Sequence, residues 1–370
     1  MPMGTNQTNN LLHLTLDRWN DQVFLNGTAY PAGHFACEAM NISLDELSQL
    51  REVSEQISIH AERLYAADTD NLRELLPAMK LLAATFVNEL WRHPPYCYFD
   101  IEAERHAVEI MFSAESAEAV TDPFAQGREF LFRYISAMLT IPYGLYHFLC
   151  GSLPLENDYL RRLKRRDETH FSVATHDYFN SELYRREMPV YNSIPLEPFT
   201  ETPSMKATFC FARNPKNEKE MVFVERMLFD HVVDFLTYDL FNGMHWGHAP
   251  SKCQNCGRYF LTATAHTPKY CNGFAPQNPR YTCRQYGALR SQKEKNEDHP
   301  VYALFRTRTN TIRKHHQRGK INGEERAAAI ALAEELRDRA LLDWEYAERQ
   351  YQEDMEQKNF EAELKRRPEG

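Results

Sequence analysis

The chain has 370 residues, of which 43 % are hydrophobic, and a formal net charge of −9 at pH 7. This length is typical of two or three domains, and the composition is sufficient for a sizeable core, which excludes a disordered chain. The first residues, MPMGTNQTNN, are polar with no cationic start and no apolar stretch. We therefore predict no signal peptide and expect a cytoplasmic protein.

The net charge is distributed unevenly. Residues 1–251 carry a net charge of −14, and residues 323–370 carry −6. Between them, residues 252–322 hold 14 Lys and Arg against 3 Asp and Glu, a net charge of +11. The net charge of −9 thus conceals a strongly basic segment between acidic flanks.

The N-terminal region carries two local folding signals. Asn26-Gly27 lies between two apolar runs and predicts a type I′ hairpin, because both residues accept positive φ angles. Ser43 and Glu46 have the spacing of a capping box and predict the start of a helix. A second helical pattern covers residues 71–91.

Hydrophobic periodicity assigns the remaining segments of residues 1–251. Two short alternating stretches indicate strands, at residues 107–113 and 205–212. Three stretches indicate helices, at residues 130–140, 158–166 and 221–241. Together these patterns predict a mainly α, α+β domain with small β elements and an unknown role.

Residues 134–155 contain no Asp, Glu, Lys or Arg, and this uncharged stretch is about as long as a membrane span. Pro142, Gly144 and Pro154 would interrupt or expose the backbone of a helix in lipid. We therefore favour a buried core helix that ends near Cys150 and predict no membrane partner.

The eight cysteines fall into two groups. Four are isolated among apolar or aromatic residues and are typical of small buried side chains: Cys37, Cys97, Cys150 and Cys210. The other four lie within 31 residues, with the spacing C-x2-C-x14-C-x11-C, at Cys253, Cys256, Cys271 and Cys283. In a chain without a secretion signal, such a group indicates a metal site rather than disulfides.

The stretch CQNCGRYF, residues 253–260, has the form of a zinc knuckle. Gly257 permits the tight turn, and Tyr259 begins a predicted strand. Cys283 lies at the start of a predicted helix, where free N–H groups favour a thiolate, whereas residues 272–282 are predicted to be a loop. His266 is an alternative ligand in place of Cys271 or Cys283.

Four thiolates would make a closed, structural Zn²⁺ site with no open position for catalytic water. The spacing of the cysteines fits an iron–sulfur cluster less well. The alternative is four buried thiols without a metal. The module has few aliphatic residues, so zinc binding would supply much of its folding free energy.

These residues also carry a resemblance. The chain resembles the C-terminal zinc-finger region of a bacterial family of unknown function, over residues 253–323 and more loosely over 205–360. The motifs that carry the resemblance are, in chain order, CxxCGRYF, YC, TCRxYGA and RGKINGEE. It is more distantly similar to Cys-Gly-Asn-Arg zinc fingers of bacterial regulators assigned to DNA binding. This sequence has CRQYG at that signature. The resemblance implies the same four cysteines as ligands.

The basic segment has the charge expected of a polyanion-binding surface. On a helix over residues 300–319, cationic residues recur on one face and apolar residues on another. We predict phosphate contacts from Arg258, Lys269, Arg280, Arg284, Arg290, Arg306, Arg313 and Lys320. Aromatic residues between them either stack on bases or form a small core. The alternative is that these charges dock on the acidic parts of the chain or on a partner.

The C-terminal region begins with Asn322 and Glu325, which have the spacing of an N-cap and its reciprocal partner. A long helix is predicted from there to about Lys358. Its apolar stripe includes Leu332, Leu336 and Tyr351 and can pack within the chain or against a second copy, the former being favoured.

The sequence therefore predicts four regions, whose boundaries follow the charge and cysteine patterns. They are an acidic, mostly helical domain (1–251), a treble-clef-like or knuckle-type zinc finger (252–298), a basic helix (299–322), and a long C-terminal helix and tail (323–370). We predict a zinc-containing nucleic-acid-binding protein, with a regulatory role as one possibility. A protein-interaction or scaffold role is the alternative. The chain has no P-loop, dinucleotide-binding or hydrolase motif, so an enzyme such as a zinc nuclease is the least favoured.

Overall fold

A computed structural model describes residues 9–65, 69–113, 126–182, 184, 205–214, 217–263 and 268–366. The chain divides into two compact units, Met1–Cys271 and Asn272–Gly370. Helices dominate both units and the sheets are small, so the predicted mainly helical α+β class is confirmed.

One antiparallel sheet of the first unit has the strand order β3-β2-β1-β5-β4. Its strands are β1 (Leu14–Trp19), β2 (Gln22–Leu25), β3 (Thr28–Pro31), β4 (Met205–Asn214) and β5 (Asn217–Phe229). Asn26 and Gly27 have φ angles of 50° and 80°, and Leu25 lies opposite Thr28. The predicted two-residue hairpin is therefore confirmed.

The helices of the first unit surround one apolar core. They are α1 (His34–Ala39), α2 (Leu44–Tyr65), α3 (Thr69–Leu90), α4 (Ile101–Met111), α5 (Gln126–Pro154), α6 (Glu168–Phe179) and α7 (Val232–His245). The predicted capping box at the start of α2 is present, because Glu46 N–H donates to Ser43 Oγ and Ser43 N–H donates to Glu46 Oε2.

The uncharged segment 134–155 forms most of α5 and supplies core residues such as Ile135, Met138 and Phe148. Ser54 Oγ of α2 donates to the Met138 carbonyl of α5 at 3.1 Å. Among the residues with described positions, no helix has the length and apolar character needed to cross a bilayer. The prediction of a core helix is confirmed.

Three of the local predictions for the first unit are wrong. Residues 107–113, predicted as a strand, belong mostly to α4, because Asp100 caps that helix and Val108 and Met111 bury one of its faces. The helix predicted over 221–241 is strand β5 followed by α7, because residues up to Phe229 pair with β4. Residues 158–166 are not an α-helix: they include the end of a π-helical turn (Leu155–Tyr159) and a 3₁₀ turn (Leu160–Arg162), followed by irregular backbone.

The first unit ends with a small hairpin of strands β6 (Ala249–Lys252) and β7 (Tyr259–Thr262). The second unit begins with another, of strands β8 (Phe274–Ala275) and β9 (Asn278–Thr282). The prediction that residues 272–282 form a loop is therefore wrong, because this segment contains the β8–β9 hairpin. Pairing across Ala275 and Asn278 gives the segment a turn and two short strands.

The second unit continues with six helices among the described residues. They are α8 (Cys283–Asp298), α9 (Pro300–Gln317), α10 (Gly323–Leu342), α11 (Trp344–Arg349), α12 (Tyr351–Asp354) and α13 (Gln357–Arg366). The capping box of Asn322 and Glu325 is present. The single helix predicted to about Lys358 ends at Leu342, because Asp343 accepts from the N–H groups of Glu345 and Tyr346 and begins a new helix.

The C-terminal apolar stripe packs within the chain. Val301 and Ile312 of α9 share a buried cluster with Leu332, Leu336 and Tyr351. The favoured intramolecular packing is thus observed for the stripe. Trp344, which has the same helical spacing and is expected to belong to this stripe, has an exposed side chain.

Candidate metal centre

The first two cysteines lie in the tight turn between β6 and β7. Gly257 N–H donates to the Cys253 carbonyl at 3.0 Å, and Cys253 N–H donates to the Arg258 carbonyl at 2.8 Å. Gly257 has a φ of 76°, a conformation that strains any residue with a Cβ. The turn therefore has the knuckle form that the sequence predicts, and β7 begins at Tyr259 as expected.

Cys271 reaches the same turn from the end of the first unit. Gln254 N–H donates to the Lys269 carbonyl at 2.9 Å, and Cys271 N–H donates to Cys253 Sγ at 3.4 Å. The sulfur atoms of Cys256 and Cys271 are 3.6 Å apart, longer than the roughly 2.05 Å of a disulfide bond. Backbone donors aimed at sulfur are typical of thiolate metal sites.

Cys283 is the first residue of α8, in the second unit. Thr282 caps that helix in a reciprocal box with Gln285, and Cys283 N–H donates to the Gly273 carbonyl at 2.7 Å. The Cys283 side chain is fully buried.

The four sulfur atoms of Cys253, Cys256, Cys271 and Cys283 all lie within 4.8 Å of one another. The structure thus brings together the four cysteines that the sequence spacing selects. Three are buried and Cys256 is partly exposed. Such a cluster could hold a metal ion through four thiolates. His266, the alternative ligand, lies outside the described residues.

The electrostatics of Cys253 favour ionisation of its thiol. Burial on its own raises the pKa of this thiol. The backbone N–H groups of Cys256, Cys271 and Asn255 act in the opposite direction, because they stabilise the thiolate, and the pKa falls to about 7. The turn therefore presents a nucleophilic, metal-binding form of sulfur near neutral pH.

The knuckle is fixed to the helical body by polar contacts that the sequence did not reveal. Asn41, just after α1, forms two hydrogen bonds with the backbone of Tyr259: its Nδ2 donates to the carbonyl at 3.0 Å, and its Oδ1 accepts from the N–H at 2.7 Å. Asn157 Nδ2 donates to the Tyr259 hydroxyl at 3.2 Å. No local motif marks these asparagines, because their partner is more than 100 residues distant in sequence.

Two buried ionisable side chains, Glu156 and Arg166, lie close to β6. Glu156 and Arg166 are 1 % and 2 % exposed, and Arg166 donates to the carbonyls of Pro250 at 2.8 Å and Leu160 at 3.3 Å. Burial raises the pKa of Glu156, and the charges of Arg161 and then Arg166 oppose that shift. Burial lowers the pKa of Arg166, and the charge of Glu156 opposes that shift. Arg166 thus holds the strand that leads into Cys253.

The predicted phosphate-binding residues lie at the surface. Seven have exposed side chains: Lys269, Arg280, Arg284, Arg290, Arg306, Arg313 and Lys320. Arg258 is 68 % exposed and forms an ion pair with Glu38 at 3.8 Å. Within the described part of the chain, six form no ion pair: Lys269, Arg280, Arg284, Arg306, Arg313 and Lys320.

Aromatic residues of this region divide into buried and exposed members. Tyr259 is buried and serves the knuckle. Phe274 and Tyr281, on the β8–β9 hairpin, are 76 % and 40 % exposed. The hairpin therefore presents aromatic rings to solvent beside Arg280 and Arg284 in the sequence.

Arg308 is a basic residue with a structural role that the sequence did not reveal. Its side chain is buried, donates to the Met355 carbonyl and donates to Gln357 Oε1 at 2.7 Å. Its guanidinium also lies 5.2 Å from the Phe360 ring centroid. Arg308 therefore fixes α9 to the C-terminal helices instead of facing solvent.

A family model described as a family of unknown function (DUF6076) matches residues 200–367. The match includes all four clustered cysteines and agrees with the predicted resemblance to a family of unknown function. It assigns no activity. No curated protein and no solved structure shows significant similarity to the chain.

Proposed function

We propose that this chain is a nucleic-acid-binding protein in which a structural zinc ion organises the cysteine knuckle. One observation carries the nucleic-acid part of the proposal. The basic segment 252–322 presents exposed aromatic rings and six exposed cationic side chains that form no ion pair with a described residue, Lys269, Arg280, Arg284, Arg306, Arg313 and Lys320. In nucleic-acid-binding proteins, exposed cationic side chains bind phosphates and exposed aromatic rings stack on bases.

The choice of zinc follows from the donor set and its spacing. Zn–S bonds of about 2.3 Å in a tetrahedron place sulfur atoms about 3.8 Å apart. The 3.6 Å between the sulfurs of Cys256 and Cys271, and the 4.8 Å limit for the whole cluster, are compatible with that edge length. Four thiolates fill the tetrahedron, so the ion has a structural and not a catalytic role.

Metal analysis of the purified full chain tests the zinc. We expect one zinc per chain, and we expect Cys253→Ser to abolish it and to lower the melting temperature. Cys97→Ser is the matched control, because Cys97 is exposed and lies outside the cluster. Unchanged zinc content and melting temperature in Cys253→Ser would refute the site.

Two surfaces of the second unit support nucleic-acid contact. On α9, Arg306 and Arg313 are seven residues apart and share one exposed face, while Val301 and Ile312 pack into the core. This geometry leaves the cationic face able to lie along a phosphate backbone. On the β8–β9 hairpin, exposed Phe274 can stack on a base, which is worth about 1–3 kcal/mol.

Fluorescence anisotropy with labelled single-stranded and duplex DNA and RNA over a salt series tests binding. We expect affinity to fall steeply with salt, and Arg313→Gln to weaken binding and to reduce the magnitude of the salt slope by about one. Arg326→Gln, an exposed arginine of the acidic C-terminal region, is the matched control and is expected to bind as the parent. Absence of binding at low salt, or equal losses in both variants, would refute the proposal.

The alternative, in which the basic segment is neutralised by acidic parts of the chain, is supported among the described residues by the ion pair of Arg258 and Glu38. That pair is long and exposed, so it contributes little stability. The same salt series separates the two functions, because an internally neutralised segment would bind no added polyanion at low salt.

A further inference from the structure

A cavity of about 380 Å³ lies in the first unit, apart from the cysteine cluster and the basic segment. Residues before and within β1, the middle of α5 and the start of α7 surround it. Its apolar wall is formed mainly by Leu11, Leu12, Leu14, Ile141, Val232 and Val233. The volume falls within the range of pockets that bind small molecules.

Two cationic side chains line this cavity. Arg133 of α5 and Lys206 of β4 have exposed side chains that form no ion pair and no hydrogen bond with another described residue. The acidic member of the lining is Asp230. These charges also act on His13. Burial is the main cause of its lowered pKa, the charge of Arg133 lowers the pKa further, and the charge of Asp230 opposes the shift. The cavity thus carries an excess of positive charge.

The start of α7 adds backbone donors to the same place. This helix of 14 residues begins at Val232, and the side chain of its N-cap residue, His231, makes no capping hydrogen bond. First-turn N–H groups have no carbonyl partner within a helix, and the helix dipole makes that end partly positive. Such an end binds anions readily when other groups complete the site.

Tyr96 supplies an independent indication of a ligand. This residue lines the cavity and is 0 % exposed, and its buried hydroxyl has no hydrogen-bond partner among the described residues. Buried polar groups in proteins almost always have a partner, because leaving one unsatisfied is costly. A ligand oxygen that reached this hydroxyl from the cavity would satisfy the donor.

We propose that this cavity binds a small amphipathic organic anion. Arg133, Lys206 and the first turn of α7 hold the anionic head group. The apolar body lies along Leu11, Leu14 and Ile141, and an oxygen of the ligand accepts a hydrogen bond from the Tyr96 hydroxyl. The site uses neither the cysteine cluster nor the basic segment, so it can be tested independently of the proposed function.

Isothermal titration calorimetry on the full chain with defined probes tests the proposal. Octanoate and octyl phosphate carry the two common anionic heads on one apolar body, and the tighter binder identifies the head. Octanol, acetate and inorganic phosphate each lack one part and are expected to bind at least about tenfold more weakly. Absence of saturable binding by both octyl anions up to about 1 mM, or equal binding of octanol, would overturn the proposal.

Variants separate a ligand role from a structural one. The double change Arg133→Gln and Lys206→Gln is expected to weaken octyl-anion binding by about tenfold or more. Lys164→Gln, at an exposed lysine elsewhere in the first unit, is the matched control and is expected to bind as the parent. Equal affinity of the parent and the double variant would overturn the proposal.

Tyr96→Phe provides a second readout. Loss of an unsatisfied buried hydroxyl is expected to preserve or raise the melting temperature of the ligand-free protein, while octyl-anion binding weakens about fivefold or more. If Tyr96 had only a structural role, Tyr96→Phe would instead lower the melting temperature of the ligand-free protein. A lower melting temperature with unchanged affinity would overturn the assignment of the Tyr96 hydroxyl to the ligand.

Discussion

Asp239 links the stability of the first unit to pH. Its carboxylate is fully buried in α7 and caps the short helix α1, since Oδ1 accepts from Gly33 N–H at 2.9 Å and Oδ2 accepts from Ala36 N–H at 3.0 Å. Burial raises the pKa of Asp239 from an ordinary value of 3.8 to about 6, although the backbone N–H groups oppose the shift. The native state therefore retains a proton that the unfolded state has lost at the same pH.

The direction and size of the effect follow from this difference. The stability contributed by the raised pKa is fully present below about pH 4, the ordinary value, and is lost as the pH rises through about 6. A shift of about two units corresponds to about 3 kcal/mol. We expect the free energy of unfolding to fall by up to about 3 kcal/mol between pH 4 and 7 through this residue alone.

Urea unfolding at constant ionic strength, repeated from pH 4 to 7, measures this contribution. In Asp239→Asn the titrating group is gone, so the stability difference between parent and variant is expected to change by about 2–3 kcal/mol across the range. Asp177→Asn, at an exposed position on α6, is the control and is expected to leave that difference nearly flat. A flat difference for Asp239→Asn, within about 0.5 kcal/mol, would refute the reasoning.

Three further substitutions test contacts that position the cysteines and the C-terminal helices. Asn41→Ala removes two hydrogen bonds to β7 and is expected to destabilise the chain by about 2–3 kcal/mol in urea unfolding; a loss below about 0.5 kcal/mol would contradict the anchoring role. Gly257→Ala places a Cβ at a φ of 76° with no atom nearby, so a purely conformational loss of about 1–2 kcal/mol is expected, and an unchanged melting temperature would argue against the turn. Arg308→Met leaves the Met355 carbonyl without its donor and is expected to cost about 2 kcal/mol, whereas exposed Arg306→Met should cost less than about 0.5 kcal/mol; equal effects would contradict the buried role.

The features that the sequence predicts well depend on chemistry within a few residues. Asn26-Gly27 sets its hairpin through the φ angles that the two residues accept. The capping box of Ser43 and Glu46 lies within one turn of helix. The CxxCG turn is equally local, so the knuckle and the start of β7 follow from seven residues of sequence.

The wrong predictions arise where tertiary pairing overrides a local pattern. Residues 221–229 are apolar at both helical and strand spacings, and pairing with β4 decides for a strand, including Phe223 opposite Phe211. Residues 107–113 alternate as a strand would, yet Asp100 caps a helix upstream and burial of Val108 fixes its face. Alternation over so few residues cannot distinguish the two structures.

The candidate sites show the same division. The four cysteines are recognisable from type and spacing alone. The supporting residues are not, because Asn41, Arg166 and Arg308 act through backbone carbonyls and N–H groups of distant segments. Tyr96 likewise resembles an ordinary core residue in the sequence. Only the three-dimensional structure shows that no described residue is a hydrogen-bond partner of its hydroxyl.

The contact between Asn41 and Tyr259 joins residues that are 218 positions apart. During synthesis at about 5–20 residues per second, Asn41 therefore precedes its partner by roughly 10–40 s. Contacts of such high sequence separation pay a large loop-closure cost and form slowly compared with the capping boxes and hairpins. Cys253 and Cys256 are therefore synthesised after most of the helical body that their turn contacts.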